Sequence, residues 1–118
     1  VWYHRGDGGL ALLGGLYQRP NSAAGETLPR FTVLTTRPNR LVASVHDRMP
    51  VVLPRARLDD WLTCDPRSAA AFIGPAPEDA LLATPVSRRV NSVKHDDAAC
   101  LTPAVPGDGV AGQRRLLF

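Results

Sequence analysis

The chain opens on VWYHR (Val1 to Arg5), a segment with the aromatic and β-branched composition of a strand. A strand exposes rows of unpaired N–H and C=O groups, and natural domains cover such edges. Few later segments read as partners: LALLGGLYQ (Leu10 to Gln18), FTVLTT (Phe31 to Thr36), VVL (Val51 to Leu53) and LLATPVS (Leu81 to Ser87). A sheet short of partners is therefore expected. The chain reads as a piece of a longer or processed product, in keeping with its opening on Val rather than Met. With missing partners, the isolated chain is expected to be marginal in stability or prone to aggregate.

The 118 residues, 44% apolar, suffice for one small domain with one core and exclude a disordered composition. No apolar run is long enough to cross a bilayer, and no segment has signal-peptide layout. GDGG (Gly6 to Gly9) is strong turn chemistry, so VWYHR and LALLGGLYQ (Leu10 to Gln18) are predicted to form a hairpin. Gly14 and Gly15 inside the second arm predict a bulge or a close approach by another backbone. Arg19 to Pro29 is a polar loop. Asn39 is placed to cap a short helical turn over Leu41 to Val45. Pro54 suits a first helical turn. Leu58, Trp61 and Leu62 then recur at i, i+3 and i+4, which predicts an amphipathic helix with a buried Trp61. Pro66 to Ala71 reads as a further helical turn, IGPAPEDA as loop, RRVNSVKHDD as irregular and CLTPAV as extended. Gly107 to Phe118 has tail composition. Strands with a few short helices make the fold class α+β, mostly twisted antiparallel or mixed sheet.

The chemistry concentrates in SVHDRMPVVL (Ser44 to Leu53). His46, Asp47 and Arg48 stand together before a Met-Pro step and an apolar strand, and a rigid strand end holds reactive groups better than a free loop does. Six arginines and one acid lie between Arg30 and Arg57. That segment carries +5 and leaves −2 for the rest of the chain. Clustered Arg suits phosphate recognition and salt-dependent attraction to a nucleic-acid backbone; a solvated basic face is the simpler alternative. Cys64 and Cys100 lack paired metal spacing and read as reduced structural thiols, and the three histidines are scattered, so no metal site is expected. By spacing alone, His46 is a histidine satisfying a turn beside a strand. Trp2 and Trp61 read as core residues rather than base-stacking ones.

Three segments in order, FTVLTTRPNRLVASVHDRMPVVL, the helix with DDWL, and TPVSRRVNSVKHDDAACLTPA, resemble the C-terminal half of the SOS-response-associated peptidase family of abasic-site processing proteins. The resemblance spans residues 1–105 and about half of the family domain, with residues 106–118 as a flexible tail. It implies a compact α+β domain that binds single-stranded DNA holding an abasic site. It also implies an N-terminal Cys that condenses with the sugar aldehyde into a covalent DNA–protein cross-link, with lyase-like and Met-removing activities. No cofactor is implied. A complete domain is expected to be a cytoplasmic monomer, nucleoid-associated when acting on DNA.

By the same resemblance, His46 matches the catalytic histidine, the general acid/base of sugar ring opening, for which imidazole titrates in a suitable range. Thr35 and Arg48 match positions near the lesion and DNA backbone, although Arg48 serves equally well as a brace within the fold. Asp47 and Asn91 are expected to be structural supports. Pro38 departs from the family's Thr-Thr-x-Ala-Asn pattern, which puts the local turn in question. The family's upstream Cys and Glu blocks have no counterpart here, so this chain alone is expected to lack a nucleophile. A truncated or degenerate relative acting as a non-catalytic DNA-binding module is the alternative, and a structural protein with an incidental basic face is a third reading.

Overall fold

The structure, a computed structural model, describes residues 1–25 and 27–104. The expected tail over 106–118 lies outside the described residues. The strands are β1 (Trp2–His4), β2 (Leu12–Leu13), β3 (Gly15–Gln18), β4 (Arg30–Val33), β5 (Thr35–Thr36), β6 (Met49–Pro50), β7 (Val52–Leu53) and β8 (Leu82–Thr84). The α-helices are α1 (Arg40–Ala43), α2 (Leu58–Thr63) and α3 (Pro66–Ala69), with short 3-10 turns before α2, after α3 and elsewhere along the chain. Every strand pair is antiparallel, and the class is α+β.

Two compact units emerge. The first contains residues 1–10 and the described residues from Asp79 onward. In it β1 pairs with β8, Tyr3 opposite Ala83. The expected hairpin between VWYHR and LALLGGLYQ does not form. The GDGG turn itself closes, with Gly8 N donating to the Arg5 carbonyl. A tight turn permits a hairpin without compelling one, because all available strand edges compete for the ladder. Here β8 also offers side-chain complementarity: His4 Nε2 lies 2.9 Å from Thr84 Oγ1. The indole of Trp2 stacks on the His4 ring.

Two other local readings change in this unit. Arg88–Asn91, read as irregular, is a 3-10 turn in which Arg89 N donates to the Ser87 hydroxyl. Ala98–Leu101 is another 3-10 turn, and it takes in Cys100 and Leu101, read as extended. The Asp97 carboxylate decides it by accepting from Ala99 N and from the Arg89 guanidinium. Among the described residues, Val86 and Pro103 pair as an isolated bridge.

The second unit, Ala11–Glu78, carries the HDR segment. Its six short strands are three longer strands, each broken once, at Gly14, Leu34 and Val51. β2 pairs with β7, β3 with β4, and β5 with β6. Each long strand thus pairs with one neighbour before its break and with the other neighbour after it. At the breaks the hydrogen bonds close a ring: Gly14 N donates to Val51 O, Val51 N to Leu34 O, and Leu34 N to Gly14 O, all at 2.8–2.9 Å. Three backbones that would each have lost a ladder bond satisfy one another instead.

This junction explains both glycines. A Cβ on Gly15 would sit 2.8 Å from the Thr32 carbonyl oxygen, and one on Gly14 would sit 3.2 Å from Val51 Cγ1. The close approach expected from the sequence is there, by backbone at Gly15 and by a side chain at Gly14. Val51 is wholly buried, with Met49, Leu53 and Val42 nearly so. Burying a side chain of this size contributes roughly 1.5–3 kcal/mol.

Helix α2 packs on the junction, with Trp61 edge-on to Phe72 at 5.5 Å. Trp61 is half-buried rather than buried, because this six-residue helix is covered on one side only and Leu62 stays exposed. Between α2 and the β3–β4 pair runs an open apolar groove of about 370 Å³, walled by Leu13, Leu16, Phe31, Val33, Trp61 and Leu62. Phe31 is 82% exposed.

Candidate active site

The His-Asp-Arg segment is a loop slung between two buried anchors, Val42 in α1 and Met49 in β6. Helix α1 has only four residues, so its ends need outside partners. Asn39 supplies them at the N-terminus: its Oδ1 accepts from Val42 N at 3.0 Å, the capping expected from the sequence. Its Nδ2 donates to the carbonyls of Ala76 and Pro77, and its backbone N–H points at Met49 Sδ. Asn39 is 7% exposed, and this one residue joins helix, strand and the following loop.

Glu78 completes the cap. Its carboxylate accepts from Arg40 N and Leu41 N, and these backbone bonds, with the Arg40 guanidinium nearby, hold its carboxyl below the usual range. At the other end of α1 the chain turns sharply. Val45 N and His46 N both donate to the Val42 carbonyl, and Ser44 Oγ donates to Leu41 O. His46 is thereby fixed at the helix exit with a half-exposed side chain.

Thr35 and Arg48 come together. Thr35 lies on β5 opposite Pro50, and the Arg48 guanidinium donates to its carbonyl and its hydroxyl. Arg48 N donates to His46 Nδ1 at 3.0 Å, and Asp47 Oδ1 stands 3.2 Å from the same nitrogen. Thr35, His46, Asp47 and Arg48 thus form one connected group at the open end of β5 and β6. Asn91 belongs to the other unit, at the end of its exposed 3-10 turn.

The basic segment is less free than its charge count suggests. Arg40 faces Glu78, and Arg57 bonds Asp60 while lying over the Phe72 ring. Arg48 is spent on Thr35, whereas Arg37 and Arg55 have no partner among the described residues. Cys64 Sγ donates to the Trp61 carbonyl and, in the other unit, buried Cys100 Sγ donates to the His95 carbonyl. No three of His, Cys, Asp and Glu converge as a metal site among the described residues. No helix among them is long and apolar enough to cross a membrane.

Sequence reasoning assigned Asn39 only its cap and overlooked Glu78. The signal for Asn39 was its place after the strand-end threonines. Glu78, 38 residues beyond Arg40, gave none.

The fold and this group place the chain in a known class. The family model for SOS response associated peptidase (SRAP) matches residues 1–93, and the chain belongs to that family. Among curated relatives, the abasic site processing protein YoqW of Bacillus subtilis is 37% identical over 90 residues, 74% of this chain and 40% of the relative. The abasic site processing protein HMCES of Gallus gallus is 36% identical over 83 residues, 67% of this chain and 24% of the relative. The chain therefore spans well under half the length of the relatives it matches. A protein of Bacteroides thetaiotaomicron solved by crystallography shares the fold, with a TM-score of 0.72 at 20% identity over 87% of this chain and 47% of that one.

Proposed function

We propose that this chain supplies the acid/base part of an abasic-site processing centre. It engages single-stranded DNA at an abasic site, and the whole protein forms a covalent cross-link there. The observation that carries this reading is the presentation of His46. The backbone is locked to α1, while ring atom Nε2 has no partner among the described residues and is open to a substrate.

An abasic sugar rests as a closed hemiacetal. Opening it requires a proton delivered to the ring oxygen and another removed from the anomeric hydroxyl. An imidazole at a rigid strand end suits that transfer. Arg37, next to the Thr35–Thr36 strand and unpaired by protein among the described residues, is suited to a flanking phosphate, with Thr35 beside it. The covalent step requires a nucleophile and a partner carboxylate. In this reading both come from the remainder of the family domain, since Cys64 and Cys100 are engaged elsewhere. The functional unit in this reading is a monomer.

The test is incubation of the full-length gene product with abasic single-stranded DNA, followed by a denaturing gel. A covalent shift that His46→Ala slows is the expected result. No shift overturns the reading and leaves the alternative that the engaged thiols favour, a non-catalytic DNA-binding module. That module predicts weak, salt-sensitive binding untouched by His46→Ala.

A further inference from the structure

Ring atom Nδ1 of His46 faces two groups that cannot both be satisfied at once. The Arg48 amide at 3.0 Å is a donor and requires a lone pair on Nδ1. The Asp47 carboxylate at 3.2 Å is an acceptor and requires a proton there. One nitrogen meets only one of these demands in any protonation state. Asp47 and Arg48 contribute the charged side chains next to the ring in sequence, and among the described residues no other titratable group hydrogen-bonds or ion-pairs with it.

We propose that the Arg48 backbone amide and Asp47 are a pair of positioning groups that set which nitrogen of His46 carries the proton. In the neutral ring the Arg48 N–H occupies Nδ1, so the proton resides on Nε2, the unpartnered nitrogen. When the ring gains a second proton, Nδ1–H turns to Asp47 and the Arg48 contact is released. Delivery of the Nε2 proton to a substrate oxygen then leaves a neutral ring protonated at Nδ1 and held by Asp47. Loss of that proton to water and uptake of one at Nε2 restores the Arg48 contact, with no net change in protons on the ring. Thr35 belongs to this device because its two acceptors grip the Arg48 guanidinium and keep the amide of the same residue aimed at the ring.

The protonation pattern stands independently of the proposed function; its use in proton delivery rests on that reading. Two measurements separate them. In the nitrogen-15-labelled full-length product with the ring neutral, long-range spectra are expected to show the proton on Nε2. A through-hydrogen-bond coupling should join Arg48 N to His46 Nδ1 and vanish when the ring is protonated. A neutral ring protonated mainly on Nδ1, or a folded chain without the coupling, overturns the proposal whatever the activity. In the full-length product, Asp47→Asn is expected to keep the coupling of the neutral ring but slow cross-linking several-fold at acidic pH, with rescue by Asp47→Glu. Unchanged rates in Asp47→Asn overturn the Asp47 half. Absence of cross-linking in the unsubstituted protein overturns the functional reading alone, and the spectra still decide the protonation pattern.

Discussion

Arg48 grips Thr35 from two nitrogens: Nη2 donates to the carbonyl at 2.7 Å and to the hydroxyl at 2.8 Å, and Nε donates to the hydroxyl at 3.2 Å. The cross-strand neighbour of Thr35 is Pro50, which has no N–H to offer, and the Thr35 carbonyl takes its donor from Arg48. A residue that reads in sequence as a phosphate ligand is, in the fold, first a brace between the end of β5 and the loop carrying His46. Thr35→Val keeps the strand shape and removes the hydroxyl. Its expected cost is about 1 kcal/mol in urea unfolding, the usual net worth of such bonds, and Thr35→Ser should recover most of it.

Asn39 is the more critical polar residue. Asn39→Ala removes a helix cap, at about 1 kcal/mol, and strips a donor from two carbonyls, at about 1–3 kcal/mol for each that stays dry. A loss of about 3 kcal/mol is expected, enough to unfold a marginal unit in a thermal melt. Asn39→Asp keeps the capping oxygen but turns a carboxylate toward the Ala76 and Pro77 carbonyls. It should rescue little, and a wild-type melt for either variant would contradict the role given to this residue.

The two glycines at the junction should respond differently to Ala. At Gly15 the obstacle is backbone, the Thr32 carbonyl at 2.8 Å, so β3 and β4 must separate. A cost of about 2–3 kcal/mol is expected for such overpacking. At Gly14 the obstacle is a methyl of Val51 at 3.2 Å, a side-chain contact that needs a shift of only a few tenths of an ångström. Reduced freedom of the unfolded chain returns about 0.4–1 kcal/mol, so Gly14→Ala should be clearly the milder change in denaturant titrations.

Acid should loosen the cap of α1. The Glu78 carboxyl is held below its usual range by the N–H groups of Arg40 and Leu41, so the folded state binds its proton less readily than the unfolded state. Its contribution is complete above the ordinary glutamate value, about 4.3, and fades as the pH falls below it. Melts at several pH values should show Glu78→Gln less stable than wild type near neutrality, with the difference shrinking in acid. A constant difference would mean that the charge of Glu78 is immaterial.

Local chemistry in the sequence determined much of the second unit. Asn39 follows an extended segment and precedes a helical one, so its capping role was legible. Paired glycines announced a close approach, and the Leu58, Trp61 and Leu62 spacing announced α2. The family motif singled out His46, Arg48 and Thr35 together. The cap, the close approach and the helix were legible because each rests on residues a few positions apart, whose geometry the backbone itself dictates.

Tertiary structure alone decided which edges pair and where side chains find partners. β1 joins β8 rather than its sequence neighbour because ladder formation is a competition among all edges, settled by complementary side chains. The ring of Gly14, Leu34 and Val51 needs three strands at once, so no pairwise pattern encodes it. Glu78 caps a helix 38 residues away, and Arg48 turns its fork to Thr35, 13 residues back. Such contacts depend on distances that a linear pattern does not contain, because hydrogen-bond donors are matched to acceptors only after the chain has folded.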